Sequence, residues 1–422
     1  MTALAEKPQA VESGRAGHLA ALDGLRAMAA LYVVLHHAWM IAMPGPPVGR
    51  AAQVCNILLS RGHVAVDLFI VLSGFCLMLP VSRGEGVLKG TSLQFFKRRA
   101  RRILPPYYAA LALSLVAATT FLRFETGSPW DGSIPVTAAG IINHALLIHE
   151  WFRPTSIQIN GPLWSVGVEW KIYFLFPLLI VGFRKYGPVV VATAAVILSY
   201  ALLLALRWTP INTATGGVSA HYIGLFALGM LAAEISTSSR EPYRNLRTWM
   251  PMPLVLVLAT IACVVASRIP LRHEDLTPFN DLFVGIWSAI LVMTAITRPK
   301  GIVHRVAATR WLVFAGTFSY SIYLLHMPLL QAIWQYGMPS SHRTGLATLA
   351  IMTAVAIPIT LLICYLFFLA FEKPFLRARK GRTIEASSRD FGATMFVSGS
   401  DGAVPSAMLS DADVVSTLRE PQ

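Results

Sequence analysis

The feature that most limits what this chain can fold into is a recurrence. Apolar runs about as long as the 17–25 residues needed to cross a hydrocarbon core roughly 30 Å thick return along most of its length. Only 13% of the 422 residues are charged and 55% are hydrophobic, whereas a soluble domain carries about 25% charge. The expected fold class is therefore all-α: a polytopic transmembrane helix bundle embedded in a lipid bilayer. The formal net charge of +14 would suggest nucleic acid in a soluble protein. Here the cations gather in short loops between apolar runs, so a membrane accounts for them and no nucleic-acid partner is expected. Cys55, Cys76, Cys263 and Cys364 stand far apart, without the paired spacing of a zinc site or a disulfide framework, and no metal is expected. The first apolar run starts after residue 25 and carries an Arg and two His, which is wrong for a cleaved signal peptide.

About ten spans are expected, over residues 27–43, 64–80, 104–122, 163–183, 188–206, 219–235, 252–267, 280–297, 311–333 and 344–371. The apolar stretch 137–149 is too short to cross and is expected as a re-entrant or interfacial helix. Loop charge sets the orientation. The loop 81–103 holds Lys97, Arg98, Arg99, Arg101 and Arg102 among its cations, and the loops on the same side hold Arg184 and Lys185, Arg240 to Arg247, and Arg298 to Arg310. The alternate loops are poor in Lys and Arg, so both termini are expected on the cytosolic side of the cell (inner) membrane. Residues 1–18 read as a polar cytosolic tail, 19–376 as the membrane domain, and 377–422 as a basic, then disordered, cytosolic tail. No internal repeat is visible, which disfavours transporter folds built from duplicated halves.

Several ionisable residues lie inside these spans, where they are functional candidates by default. In LDGLRAMAALYVVLHHAW, Arg26 and His37 are eleven residues apart. At 100° per residue that is about 20° past three full turns, so His37 stands almost directly above Arg26, roughly 16 Å along the helix. His36 points about 80° away. In GHVAVDLFIVLSGF, His63 and Asp67 share a face, and Ser73 and Gly74 lie deeper, where glycine permits close helix approach. Asp67 could order a catalytic group. The run FFKRRARRILPPYY places five cations in six residues ahead of a Pro-Pro pair. Positive-inside anchoring explains some of them, and a ligand with several phosphates would explain the density. Glu169 sits in WSVGVEWKIYFLF and needs a partner, either Lys171 or an Arg of another helix. FAGTFSYSIYLLHMPLL carries Ser319, Tyr320, Ser321, Tyr323 and His326, and FEKP places Glu372 at the cytosolic surface beside loop cations.

These same segments, in this order, resemble acyltransferase family 3, the bacterial integral-membrane O-acyltransferases that modify surface polysaccharides, lipopolysaccharide, lipids and some macrolides. The likeness covers about residues 19–376. The family's Arg–ten residues–His pattern falls on Arg26 and His37, its basic motif within Arg98–Arg102 with Arg99 and Arg102 fitting best, its buried Glu on Glu169, and its SY-x-x-YL-x-H segment on Ser319, Tyr320, Tyr323 and His326. Some members carry a soluble hydrolase-like C-terminal domain, and the resemblance is to the stand-alone form. His36 stands where the family usually has an aromatic or aliphatic residue.

The resemblance implies transfer of a short acyl group, with acetyl expected, from cytosolic acyl-CoA to a hydroxyl of a carbohydrate, glycolipid or macrolide-like acceptor. Acyl-CoA is expected as the donor substrate, with no bound cofactor. Arg26, Arg98, Arg99, Arg101 and Arg102 would bind the donor. His37 would be the general base on the acceptor hydroxyl, or else a transient acyl carrier, Asp67 or Glu169 would orient it, and Tyr323 and His326 would complete the catalytic set. The alternative is a proton-coupled transporter or flippase of a polar lipid or sugar conjugate, using His37 and Glu169 as a proton relay. A structural membrane subunit would not need so much buried charge.

Overall fold

The computed structural model of the chain describes residues 7–84, 86–213, 216–249, 251–266, 273–339 and 344–377. Of the expected tail 377–422, all but Arg377 lies outside them. Among the described residues there is no strand. The α-helices are α1 (Lys7–Ala42), α2 (Arg50–Leu59), α3 (His63–Ser82), α4 (Ser92–Thr119), α5 (Ala138–Ala145), α6 (Trp164–Tyr186), α7 (Pro188–Leu206), α8 (Tyr222–Thr237) and α9 (Glu241–Trp249). They continue with α10 (Met252–Ala266), α11 (His273–Thr297), α12 (Ile302–Ala307), α13 (Arg310–Thr317), α14 (Ser319–Gly337), α15 (Leu346–Ile351), α16 (Ile357–Phe367) and α17 (Lys373–Arg377). One wider π-turn joins α15 to α16 and another joins α16 to α17.

Each stretch expected to span is helical over most of its described length. Six described segments are long and apolar enough to cross a membrane, and eight if each of two bent helix pairs counts as one span. The protein is thus a multi-pass membrane protein. The two expected spans outside that set are α4, whose first turns carry the basic cluster, and α10, which has 15 residues. Boundaries also differ from expectation. α1 starts at Lys7, inside the stretch expected as a tail, with Pro8 in its first turn, where a missing N–H breaks no helical bond. The expected span 311–333 is two helices, α13 and α14, bent by 76°.

Burial sorts the helices into centre and rim. The most apolar window of the α2–α3 stretch is 78% buried, whereas that of α7 is only 22% buried. In α7, Val190, Ile197 and Leu198 are exposed, as lipid-facing side chains should be, while α3 sits in the middle. Close helix approach explains how α3 becomes central. A Cβ on Gly74 would lie 2.1 Å from the Phe226 carbonyl oxygen of α8, and one on Gly229 would lie 2.1 Å from the Val71 carbonyl oxygen of α3. The two backbones touch through reciprocal glycines, the small-residue packing that holds helices together where apolar burial gives no driving force.

Candidate active site

The basic run read above as part of a loop is helical. Thr91 caps α4 by accepting from the Gln94 amide, and the Gln94 side chain returns the bond to the Thr91 amide. This reciprocal cap starts the helix before the cations begin. Helical spacing then divides the cluster, because residues three apart share a face. Arg99 and Arg102 are half-buried and line a cavity of about 120 Å³. Arg98 and Arg101 are exposed, and Arg98 donates to the Lys89 carbonyl at 3.2 Å. Arg26 of α1 reaches the same cavity and pairs with Asp23 at 3.0 Å. Three guanidinium groups therefore meet at one end, beside Cys76, Leu77 and Ile103.

The cavity continues between α3, α6 and the start of α14. In its wall, Ser73 Oγ donates to Tyr173 Oη at 2.9 Å, and Tyr173 donates to Glu169. Glu169 takes this partner, and Lys171, two residues on, pairs with Glu150. The bend before Ser319 brings Ser319, Tyr320 and Tyr323 into the wall. Tyr323 is held from two sides: its Oη donates to the Pro162 carbonyl at 2.9 Å and meets Ser165 Oγ at 2.6 Å. Val66, Phe69 and Ser165 line the same cavity.

Beyond Tyr323 stand two imidazoles. The ring of His326, fully buried, is 5.9 Å from that of Tyr323, and its Nε2 lies 3.2 Å from Nδ1 of His37. The tautomers follow from the carbonyls. His326 Nδ1 is 2.8 Å from the Tyr323 oxygen and 3.1 Å from the Ile322 oxygen, so it carries the proton. Its Nε2 is then an acceptor, and His37 Nδ1, also 2.9 Å from the Val33 carbonyl, is the donor. Nε2 of His37 is left with a free lone pair. His36 turns elsewhere, with its Nδ1 2.7 Å from the Leu59 carbonyl at the end of α2.

The sequence profile of a family described as an acyltransferase domain matches residues 19–369. The chain belongs to that family. Among curated relatives, the peptidoglycan O-acetyltransferase OatA of Listeria monocytogenes is 24% identical over 328 residues, covering 74% of this chain and 49% of the relative. The O-acetyltransferase OatA of Staphylococcus aureus is 26% identical over 340 residues, covering 76% of this chain and 52% of the relative. This chain thus spans about half the length of the relatives it matches. No solved structure matches significantly.

Within this acyltransferase domain the fold brings together Arg26, Arg99, Arg102, Glu169 and Tyr323 around the cavity, with His326 and His37 just past it. It leaves out Arg98 and Arg101. Asp67, expected to order a catalytic group, is buried beside Asp281 and Tyr222. Asp281, to which the sequence had assigned no chemistry, accepts from His221 at 2.9 Å and lies 3.7 Å from His63. Glu372 is buried and accepts from Ser321 at 2.6 Å, near Arg102. A second set also escaped the sequence. His144 and His149 stack at 3.9 Å, and Glu150, next to them, pairs with Lys171. Its members come from the short stretch around 137–149 and from α6, so only the folded chain shows that they meet.

Proposed function

We propose that the protein transfers a short acyl group, acetyl, from acyl-CoA to a hydroxyl of a carbohydrate or glycolipid-type acceptor. The observation that carries this is the continuity of the cavity, which runs from three guanidinium groups to the tyrosine that abuts the paired imidazoles. A phosphate-rich nucleotide suits the first end, and a thin acyl-bearing arm suits the passage. Family membership and the names of the relatives support O-acetyl transfer to a glycan.

In the reaction, Nε2 of His37 removes the acceptor's hydroxyl proton as that oxygen attacks the thioester carbonyl. The hydroxyl of Tyr323 or Ser165, turned from its present partner, donates to the tetrahedral oxyanion. Collapse breaks the carbon–sulfur bond, and the departing thiolate takes the proton from the His37 imidazolium. The products are an ester and a free thiol, with no proton gained or lost. The Val33 carbonyl and His326 together hold the His37 ring in the tautomer this requires.

The ten-span path, the cytosolic termini and the inner-membrane location belong to the same proposal. Helices over all ten stretches and the alternation of loop cations support them. The test is purified protein in vesicles, given labelled acetyl-CoA and a peptidoglycan or lipopolysaccharide fragment. Label on the glycan, lost in His37→Ala, is the expected result. Label-free movement of the glycan driven by a proton gradient would instead establish the transporter.

A further inference from the structure

His37 does not line the cavity. Two rings that do line it, Phe69 of α3 and Tyr323 of α14, pack edge to face with centroids 5.8 Å apart, and Tyr323 leads on through the His326 ring to His37. The two are not held alike. Tyr323 is buried, pinned at its hydroxyl by Pro162 and Ser165 and flanked by the His326 ring. Phe69 is half-buried and lines the cavity, as does Val66 one turn away.

We infer that Phe69 sets the length of acyl group this protein transfers, admitting a two-carbon group past its ring edge to His37 and excluding longer chains. The inference rests on the proposed acyl transfer and narrows its donor class. On the proposed path an acyl group bound beside the arginines passes the Phe69–Tyr323 pair to reach His37. Tyr323 cannot swing aside without giving up both hydrogen bonds, so the clearance depends on the side chain at 69. Each methylene beyond acetyl meets the Phe69 ring, and one misplaced methylene in an apolar passage is worth about tenfold or more in discrimination.

The experiment compares kcat/KM for acetyl-, propionyl- and butyryl-CoA with one glycan acceptor, in the parent, Phe69→Ala and Phe69→Leu. The parent is expected to prefer acetyl over butyryl. Phe69→Ala is expected to raise the butyryl-to-acetyl ratio by at least about tenfold, with a smaller rise in Phe69→Leu, which keeps more of the volume and carries the test if the alanine variant does not accumulate. A ratio unchanged in a variant that still transfers acetyl overturns the filter, as does a parent indifferent to chain length. A parent that transfers no acyl group from any of the three donors removes the proposed function and the filter with it.

Discussion

The Val33 carbonyl and His326, whose own proton two backbone carbonyls fix on Nδ1, together keep the His37 proton on Nδ1. In the proposed reaction His37 is then the base and His326 orients it. His37→Ala should lower kcat by about 10²–10⁴-fold, the range for removing a positioned base. His326→Phe should lower kcat at the smaller end of that range, with little change in donor KM, and should shift the pH profile of kcat as the tautomer is released. Stopped-time assays with labelled donor read both. The arginines separate in the other kinetic parameter. Arg26→Ala, Arg99→Ala and Arg102→Ala should each raise donor KM by about tenfold or more, the worth of a hydrogen bond to a charged group. Arg98→Ala and Arg101→Ala should stay near the parent. The pairing of Arg26 with His37 was legible in the sequence because both lie on one helix, where angles follow from counting. The partner of Asp67 was not, since Asp281 is 214 residues away and only the docking of α11 against α3 brings the two together.

Helices and loops carry their own tests. The α3–α8 contact depends on Gly74 and Gly229, so Gly74→Leu, forced against a carbonyl 2.1 Å from its first added atom, should cost about 1–3 kcal/mol of stability. A lowered unfolding midpoint in detergent would register it. The sequence marked Gly74 as a site of close approach, and the structure supplied the backbone it approaches. The short stretch around α5 was expected as a re-entrant or interfacial helix with no role for its side chains, because a Glu and two His in so brief a run give no periodicity to read. Folded, it buries His144, whose imidazole is pushed down by desolvation to about 4 from the usual 6.5, and His149, pushed well below 6.5 by burial and by neighbouring His144 and Lys171. The unfolded chain takes up protons below 6.5 that the folded chain refuses until about 4. Stability contributed by the neutral rings is therefore present above pH 6.5 and lost as pH falls toward 4. Unfolding midpoints measured from pH 7 to pH 5 should fall, and less steeply in His144→Asn.

At the scale of the whole molecule, the apolar runs and loop cations announced a multi-pass helical bundle, since length and composition alone decide what can cross a bilayer. They could not announce the 76° bend between α13 and α14, which depends on packing and delivers Ser319, Tyr320 and Tyr323 to the cavity wall. They also could not show that only two of the five clustered cations face inward, because that required knowing that α4 begins at Ser92. What the fold adds is a direction. Three guanidinium groups line the cavity and His37 lies past its tyrosine; with the proposed roles of phosphate binding and base, this suits taking a donor from one side of the membrane and modifying an acceptor reached from the opposite side. Vesicles holding the protein in a single orientation test this most directly, with labelled acetyl-CoA supplied on one side and a glycan acceptor on the other. The account predicts label on the glycan only when the donor is on the side of Arg99 and Arg102, and none in His37→Ala. Transfer that ignores the side of the donor, or that survives loss of His37, would contradict it.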